Sequence, residues 1–447
     1  MRMRQHTTNQ TGGERRSRRL HPAWLILIAC CFLQAGGMGT INNAAGIMVP
    51  AVLGDLQFSQ GSFMLYFTIQ GLCMTAALPV AGKLLPKVSM RVLVSVGMVA
   101  AALAFASMGQ FNAVWQWYVA GAVLGVAAAF AFLLPANAPW WLVMLGAALA
   151  IGLGKMAFGI AMACSGIGGA VMNPLGGALI QSLGWRPTYA VLALIAAVLV
   201  LPFSLLVMRF KPADPRDAYG ADEVEDTPAS SGAETASGVS ASRAVRSLAF
   251  ACVFLVAGFL SLESAFLQLM PTYAGTVGLA AVAAFLPSIA MISNIVGKLV
   301  LGWLADAVGP RNATLCGFGV GVTAFALFLA SNGNVGMVMV AAALFGVLTA
   351  MVTVNVPLLV RSAFGSKDYG TLFSYVSIGT SLVGSLGISV YGFLFDRFGS
   401  YDPGLMLGIG TGVASAALLL VGMATAKRLM GAAHVRSGAV QAEEPAF

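Results

Sequence analysis

Residues 214–238 read DPRDAYGADEVEDTPASSGAETASG. Pro, Ser, Asp, Glu and Gly dominate this stretch, and a segment so poor in apolar side chains stays a flexible, solvated linker. It lies within a polar region, residues 209–246, and on both sides of that region the chain is almost continuously apolar. A bilayer core of about 30 Å takes roughly 20 apolar residues of helix. Six such runs precede the linker, at 23–49, 61–82, 91–110, 113–134, 156–183 and 187–208. Six follow it, at 247–275, 278–304, 313–331, 334–357, 370–395 and 404–426. They are continuous, whereas barrel strands alternate apolar and polar residues over about 10 positions. The expected fold class is therefore an all-α polytopic membrane protein, with twelve transmembrane helices in two six-helix bundles. The expected organisation is an N-terminal tail (1–22), a bundle (23–208), the linker (209–246), a second bundle (247–426) and a C-terminal tail (427–447).

Composition agrees. Of 447 residues, 59% are hydrophobic and 9% charged, against about 25% charged in soluble domains. This excludes a soluble enzyme, a disordered chain and a nucleic-acid-binding protein; the net charge of +8 sits in loops and tails. Cys30, Cys31, Cys73, Cys164, Cys252 and Cys316 have neither metal-ligand spacing nor a disulfide framework. His6, His21 and His434 lie near the chain ends, so no span offers a histidine for a serine or metal protease. No P-loop pattern occurs, and no cofactor or metal is expected.

The first run exceeds an h-region of about 7–15 residues, so it reads as a span rather than a cleaved signal. With both termini in the cytoplasm, all but three of the 24 Lys and Arg residues fall on the cytoplasmic side: Arg186 and Arg397 lie outside, and Lys298 within a span. Positive charge favours that orientation, and the expected location is the plasma (cytoplasmic) membrane. The segment 139–154, PWWLVMLGAALAIGLG, falls where a cytoplasmic loop belongs and reads as interfacial or re-entrant, anchored by Trp140 and Trp141. Trp115, Trp117, Tyr118 and Trp185 read as interfacial belt residues.

The two halves echo each other. Gly82-Lys-Leu-Leu-Pro-Lys-Val-Ser-Met-Arg91 follows the second span, and Gly302-Trp-Leu-Ala-Asp-Ala-Val-Gly-Pro-Arg311 follows the eighth. The fifth span ends in Gly177 and Leu183-Gly-Trp-Arg-Pro187, the eleventh in Gly392 and Asp396-Arg-Phe-Gly-Ser400. Repeats of this kind mark transporters with a midplane site between two halves.

Six plus six spans, a long central loop and a G-x-L-a-D-r-x-G-r-r loop after spans two and eight resemble the major facilitator superfamily, over nearly the whole chain beyond the N-terminal tail. The second copy of the loop matches through Gly302, Asp306, Gly309 and Arg311; the first keeps Gly82 and Arg91 but has Pro86 for the aspartate and Ser89 for the second glycine. The resemblance implies that these loops latch the bundles at the cytoplasmic face, with one latch degraded, and that the chain is a monomer. The eleventh span, from Tyr369-Gly-Thr-Leu-Phe-Ser-Tyr, and the fifth, with Gly159-Ile-Ala-Met-Ala-Cys-Ser-Gly-Ile-Gly-Gly169, look like the oxalate/formate antiporter and monocarboxylate transporter branches. Those branches carry a cation in the eighth span four residues before the loop glycine; Lys298 stands there, and Asn294 stands where some members place an acid. The second cation of the oxalate antiporter is missing between Lys367 and Arg397, which argues against a dicarboxylate. Gly169-Ala-Val-Met-Asn-Pro-Leu-Gly-Gly177 partly resembles the antiporter motif of drug exporters, with close helix packing as the plainer reading.

A charge deep in a membrane costs roughly 2.5–3.5 kcal/mol on insertion scales. Lys298 reads as the ligand of a carboxylate substrate, as a snorkelling cation, or as the ion-pair partner of Glu263. Glu263, mid-way along the seventh span, reads as a proton-coupling carboxyl or as charge compensation for Lys298. Among the polar mid-span residues, Asn42 and Gln70 join Asn294 as candidate substrate ligands. The expected function is secondary active transport of small organic anions, chiefly monocarboxylates, driven by protons or by a counter-anion. The alternative is a proton-coupled exporter of drugs or metabolites.

Overall fold

Inside a bilayer a backbone polar group finds no water, so an apolar run of this length folds into a helix that satisfies its own N–H and C=O groups. The computed structural model describes residues 22–84, 87–133, 156–207 and 238–442. The 139–154 segment, residues 1–21, Pro86 and the linker up to residue 237 lie outside the described residues.

Among the described residues, eleven helices are long and apolar enough to cross a membrane. The second to sixth spans are Gln60–Leu84, Met90–Ser107 (continuing to Gln110), Val114–Ala128 (continuing to Leu133), Met156–Leu183 and Trp185–Leu206. The seventh covers 248–276, and the eighth to twelfth are Phe285–Val308, Pro310–Ala330, Val335–Phe364, Tyr369–Phe398 and Asp402–Ala442. The eighth span begins later than its apolar run, because Gly278 at φ +77° and a short turn at Ala280–Val282 occupy the run's first residues. The twelfth helix continues through the expected tail as far as Ala442. The end of the linker is tied to the tenth and eleventh spans: Val239 N donates to Phe364 O (3.0 Å) and Ala241 N to an Asp368 carboxylate oxygen (2.7 Å).

The first passage, 22–56, is broken into four pieces. α-Helix at Pro22–Leu33 gives way to a π-helical stretch at Gln34–Asn43, a tight turn at Ala45–Met48, and α-helix again at Val49–Leu56. The π-helical sequence QAGGMGTINN holds three glycines, each costing a helix interior about 1 kcal/mol relative to alanine. They are there for contact. A Cβ on Gly39 would lie 2.8 Å from Gly168 Cα, and one on Gly168 would lie 2.4 Å from Ala35 O. The first and fifth spans therefore meet backbone to backbone, which only small residues allow. The seventh span is interrupted at the matching place, by a tight turn at Ala265–Leu269 followed by Pro271.

Lipid is as apolar as leucine, so shape and specific contacts hold each bundle together. In the N-terminal half Trp117 packs edge-on against Phe63 (5.6 Å), Phe58 (5.8 Å) and Phe111 (5.3 Å). In the C-terminal half Phe266 gathers Phe328, Phe345, Tyr273 and Tyr391. Each such pair contributes about 0.5–1.5 kcal/mol beyond area. This corrects the belt reading: Trp117 and Trp185 are core residues, 0% and 8% exposed, while Trp115, 61% exposed, fits an outward position.

Among the described residues the halves meet through three helix pairs, second with eleventh, fifth with eighth, and first with seventh. The contacts cluster toward the face opposite the linker, here the far face. A Cβ on Gly71 would strike Ser385 Oγ at 1.8 Å, one on Gly177 would meet Ala284 at 2.7 Å, and one on Gly46 would meet Gln268 O at 2.5 Å. Toward the linker face the same helices part: Val80, Tyr375 and Ile378 are exposed, and a Cβ on Gly302 or Gly370 would meet nothing within 4 Å. The molecule is a clamp shut on its far face and open on its linker face.

Candidate functional site

The two interruptions face each other. Asn42 lies in the last turn of the π-helical stretch of the first span, and Gln268 lies in the tight turn of the seventh. Gln268 Nε2 donates to Asn42 O (2.9 Å), and Gln70 Nε2, from the second span, donates to Asn42 Oδ1 (3.1 Å). Beside them Asn43 Nδ2 donates to Ser165 O of the fifth span (3.1 Å). Four spans thus bring four side-chain amides and the Asn42 carbonyl to one place at the apex of the open cleft. The irregular backbone explains the gathering, since π-helical turns and interrupted spans leave polar groups free to turn toward a ligand.

The sequence candidates divide. Asn42 and Gln70 are brought together. Gln268, not singled out among the polar mid-span residues, completes them; the signal for it was its nearly equal place in the second half, 226 residues after Asn42. Asn294 lies a turn before Lys298 on the eighth span, and its amide is bonded to Thr349 Oγ1 of the tenth (2.9 Å). Lys298 is half-buried. Met291 and Ile295 of the same helix touch Gly169 and Gly166 of the fifth span, so Lys298, one turn further on, enters the cleft where the two helices separate.

Glu263 is elsewhere. It is 1% exposed and lies beside Thr411 and Gly412 of the twelfth span, inside the C-terminal bundle. Its Oε1 has no hydrogen-bond partner, nor has the buried Tyr391 hydroxyl nearby. Glu263 and Lys298 form no ion pair; among the described residues the ion pair found is Arg186–Asp55 (3.6 Å). The ion-pair alternative is therefore not what this structure holds: Glu263 lies against the twelfth span of its own bundle, while Lys298 lies on the helix face that Met291 and Ile295 present to the fifth span.

The loop residues lie at span ends. Gly82 lies near the end of the second span and Arg91 at the start of the third. Gly309, at φ +86°, turns the chain into the ninth span. Asp306 and Arg311 are exposed and make no hydrogen bond or ion pair among the described residues.

Two six-helix halves, interruptions in equivalent spans and a polar apex between them make a transporter architecture. The model of the Major Facilitator Superfamily matches residues 25–388. The chain belongs to this superfamily. As a member of the Major Facilitator Superfamily it is a membrane transport protein rather than an enzyme. It is 28% identical over 282 residues to the MFS-type transporter hasB of Aspergillus fumigatus, a match that covers 60% of this chain and 59% of that protein. The chain therefore aligns with about three fifths of that relative's length. Its fold is similar to a point mutant of the nucleoside transporter NupG (TM-score 0.70, 16% identity, 90% of this chain and 99% of that one). It is also similar to a bacterial homologue of the human lysosomal transporter Spinster in an inward-facing, unoccupied conformation (TM-score 0.58, 16% identity, 94% and 96%). At these identities the likeness to solved structures concerns the fold.

Proposed function

We propose that this superfamily member moves small organic anions, monocarboxylates first, by alternating access coupled to protons or to a counter-anion. The observation that carries the reading is the place of Lys298: a cation in the open cleft, below the amide cluster of Asn42, Gln70 and Gln268, with no carboxylate paired to it among the described residues. A carboxylate entering the cleft meets Lys298 as a point charge, and the amides orient its remaining polar atoms. Glu263 is the proposed proton carrier. It acts through the seventh span, since the tight turn that holds Gln268 begins two residues later. A change in its charge shifts that turn, and with it the bond to Asn42. The positive-charge asymmetry makes the linker face cytoplasmic, so the clamp is inward-open, in the plasma membrane. The loops bearing Gly82, Arg91, Gly302, Asp306, Gly309 and Arg311 then close that face in the alternate state.

One observation favours a second reading, a proton-coupled exporter of uncharged metabolites or drugs: among the described residues the apex itself holds amides and no cation. Proteoliposomes separate the two. Labelled acetate, lactate, pyruvate, formate and oxalate are offered under an imposed pH gradient and, separately, against unlabelled internal anion, with Lys298→Ala in parallel. Uptake that is lost in the variant supports the anion reading. With the protein inserted and folded, absence of uptake for all five sinks it and moves the exporter forward.

A further inference from the structure

The outermost contact of the far seam joins a carboxylate of one half to a helix end of the other. The first N–H groups of a helix have no partner within it. At the start of the second span, Gln60 N donates to Asp396 Oδ1 (2.8 Å) and Gly61 N donates to Asp396 Oδ2 (2.7 Å). Both oxygens of one C-terminal-half carboxylate thus satisfy two orphan donors of an N-terminal-half helix. The bonds are charge-assisted, and negative charge is favoured at that end of a helix. The side chain of Gln60, 3% exposed, reaches back across the seam to donate to the Tyr401 hydroxyl. Burial pushes the Tyr401 phenol well above its ordinary value, so it remains a neutral hydroxyl. Room for the cap depends on two glycines: a Cβ on Gly61 would lie 2.3 Å from the Phe393 ring, and one on Gly392 would lie 3.0 Å from Gly61 Cα.

The contact is specific to this loop. The corresponding outer loop of the N-terminal half stays within its own bundle, where Asp55 accepts from Trp185 Nε1 (3.1 Å) and Arg186 bonds the carbonyls of Gly109 and Phe111 and Asn112 Oδ1. A sequence twin of the capping loop lies at the other face. Gly392-Phe-Leu-Phe-Asp-Arg-Phe-Gly399 and Gly302-Trp-Leu-Ala-Asp-Ala-Val-Gly309 share Gly, Leu, Asp and Gly at the same spacing, and each ends in a positive-φ glycine. On the shut face the aspartate is engaged; on the open face it is free.

We propose that Asp396 is a cross-half latch, its carboxylate capping the second span while the far seam is shut and letting go when the site opens to the far side. The inference rests on the alternating-access reading but on no particular substrate. Asp396 faces solvent, so it exchanges the two N–H groups for water without passing through an apolar barrier. Removing it weakens one conformation and leaves each bundle intact.

The test is pulsed dipolar spectroscopy on the full chain in nanodiscs, with spin-labelled residues genetically encoded at Ser182 and Val335 on the far face and at Lys87 and Lys367 on the linker face. The wild type is expected to show mainly short far-face and long linker-face distances, with a minor reversed population. Asp396→Ala is expected to raise the reversed population on the order of tenfold relative to the shut one, the size of a lost helix cap. Asp396→Asn keeps the shape and one acceptor and is expected to fall between; it also carries the test where the alanine variant fails to insert. Asp55→Asn, within one half, is expected to leave both distributions unchanged. Unchanged distributions in both Asp396 variants overturn the latch, as does a loss of melting temperature without any change in distances, which makes Asp396 a structural pin. A wild type that shows one state under every substrate and pH gradient instead refutes alternating access.

Discussion

The far and linker ends of the same four helices, the second, fifth, eighth and eleventh, behave as opposites. At the far end Thr68 Oγ1 is bonded to Ser385 O and Ser389 Oγ (both 2.7 Å), Asp396 caps the second span, and glycines let backbones close. At the linker end Tyr375 and Ile378 are exposed, and the loop aspartate Asp306 is free. The difference is not one of hydrophobicity, since both ends are apolar spans. It lies in which polar and small residues have met. The far seam is built from short hydroxyl bonds, a helix cap and close glycine contacts. Aromatic clusters around Trp117 and Phe266 pack the interior of each half, so in the proposed cycle the seam, rather than the bundles, is what moves.

The largest expected break comes from inside one half. Gly168→Leu drives a side chain into Ala35 O, whose distance from a mere Cβ is 2.4 Å; overpacking of this kind costs about 3 kcal/mol. Loss of monodisperse protein and of transport is the expected result, read by size-exclusion and thermal unfolding in detergent. If Gly168→Leu behaves as wild type, the first and fifth spans do not meet backbone to backbone.

Next comes the seam itself. Gly71→Val cannot coexist with Ser385 as placed, so the far face should be held open while the melting temperature stays close to wild type. Alkylation of a cysteine introduced at Thr68 by a membrane-impermeant maleimide from the far side should rise severalfold. Equal labelling in the two backgrounds would mean that the seam tolerates the side chain.

Lys298→Ala is expected to raise the half-saturation concentration for carboxylates roughly tenfold to a hundredfold, the range of a charge-assisted contact, with stability preserved. Uptake kinetics measure it. An unchanged value would return Lys298 to snorkelling. Gln268→Ala removes one cross-half bond of about 1 kcal/mol and is expected to change transport about fivefold. The smallest effect belongs to Asp306→Asn, expected to leave the conformation seen here untouched, since the side chain has no partner in it; a shift in linker-face distances would place Asp306 in a contact this state lacks.

Much of the fold was legible because the bilayer permits so few alternatives. Span count, linker and two-half symmetry follow from hydropathy and loop echoes. What escaped was azimuth and interruption. Hydropathy averages over QAGGMGTINN and sees a span, whereas the glycine contacts with the fifth span turn it π-helical. Periodicity places Glu263 and Lys298 in neighbouring spans of one half, yet which way each turns depends on Thr411 and Gly412 in one case and on the separation of the fifth and eighth spans in the other. Trp117 and Trp185 looked like belt residues because they lie near span ends; cross-helix stacking draws them into the core. The loop pattern expected as a latch is present, but the copy engaged here is its twin at the opposite face.

The sequence by itself determined that this chain crosses a membrane as two related six-helix halves, because twelve apolar runs of span length admit no other way to satisfy their backbones. It also placed one cation, Lys298, where an apolar span would otherwise exclude it. Only the tertiary structure decided which polar groups meet, with Gln268 against Asn42, Asp396 on the second span and Glu263 inside its own bundle. These contacts join residues as far apart as 336 positions, and their formation depends on how two rigid halves are tilted, which no local pattern in the chain encodes.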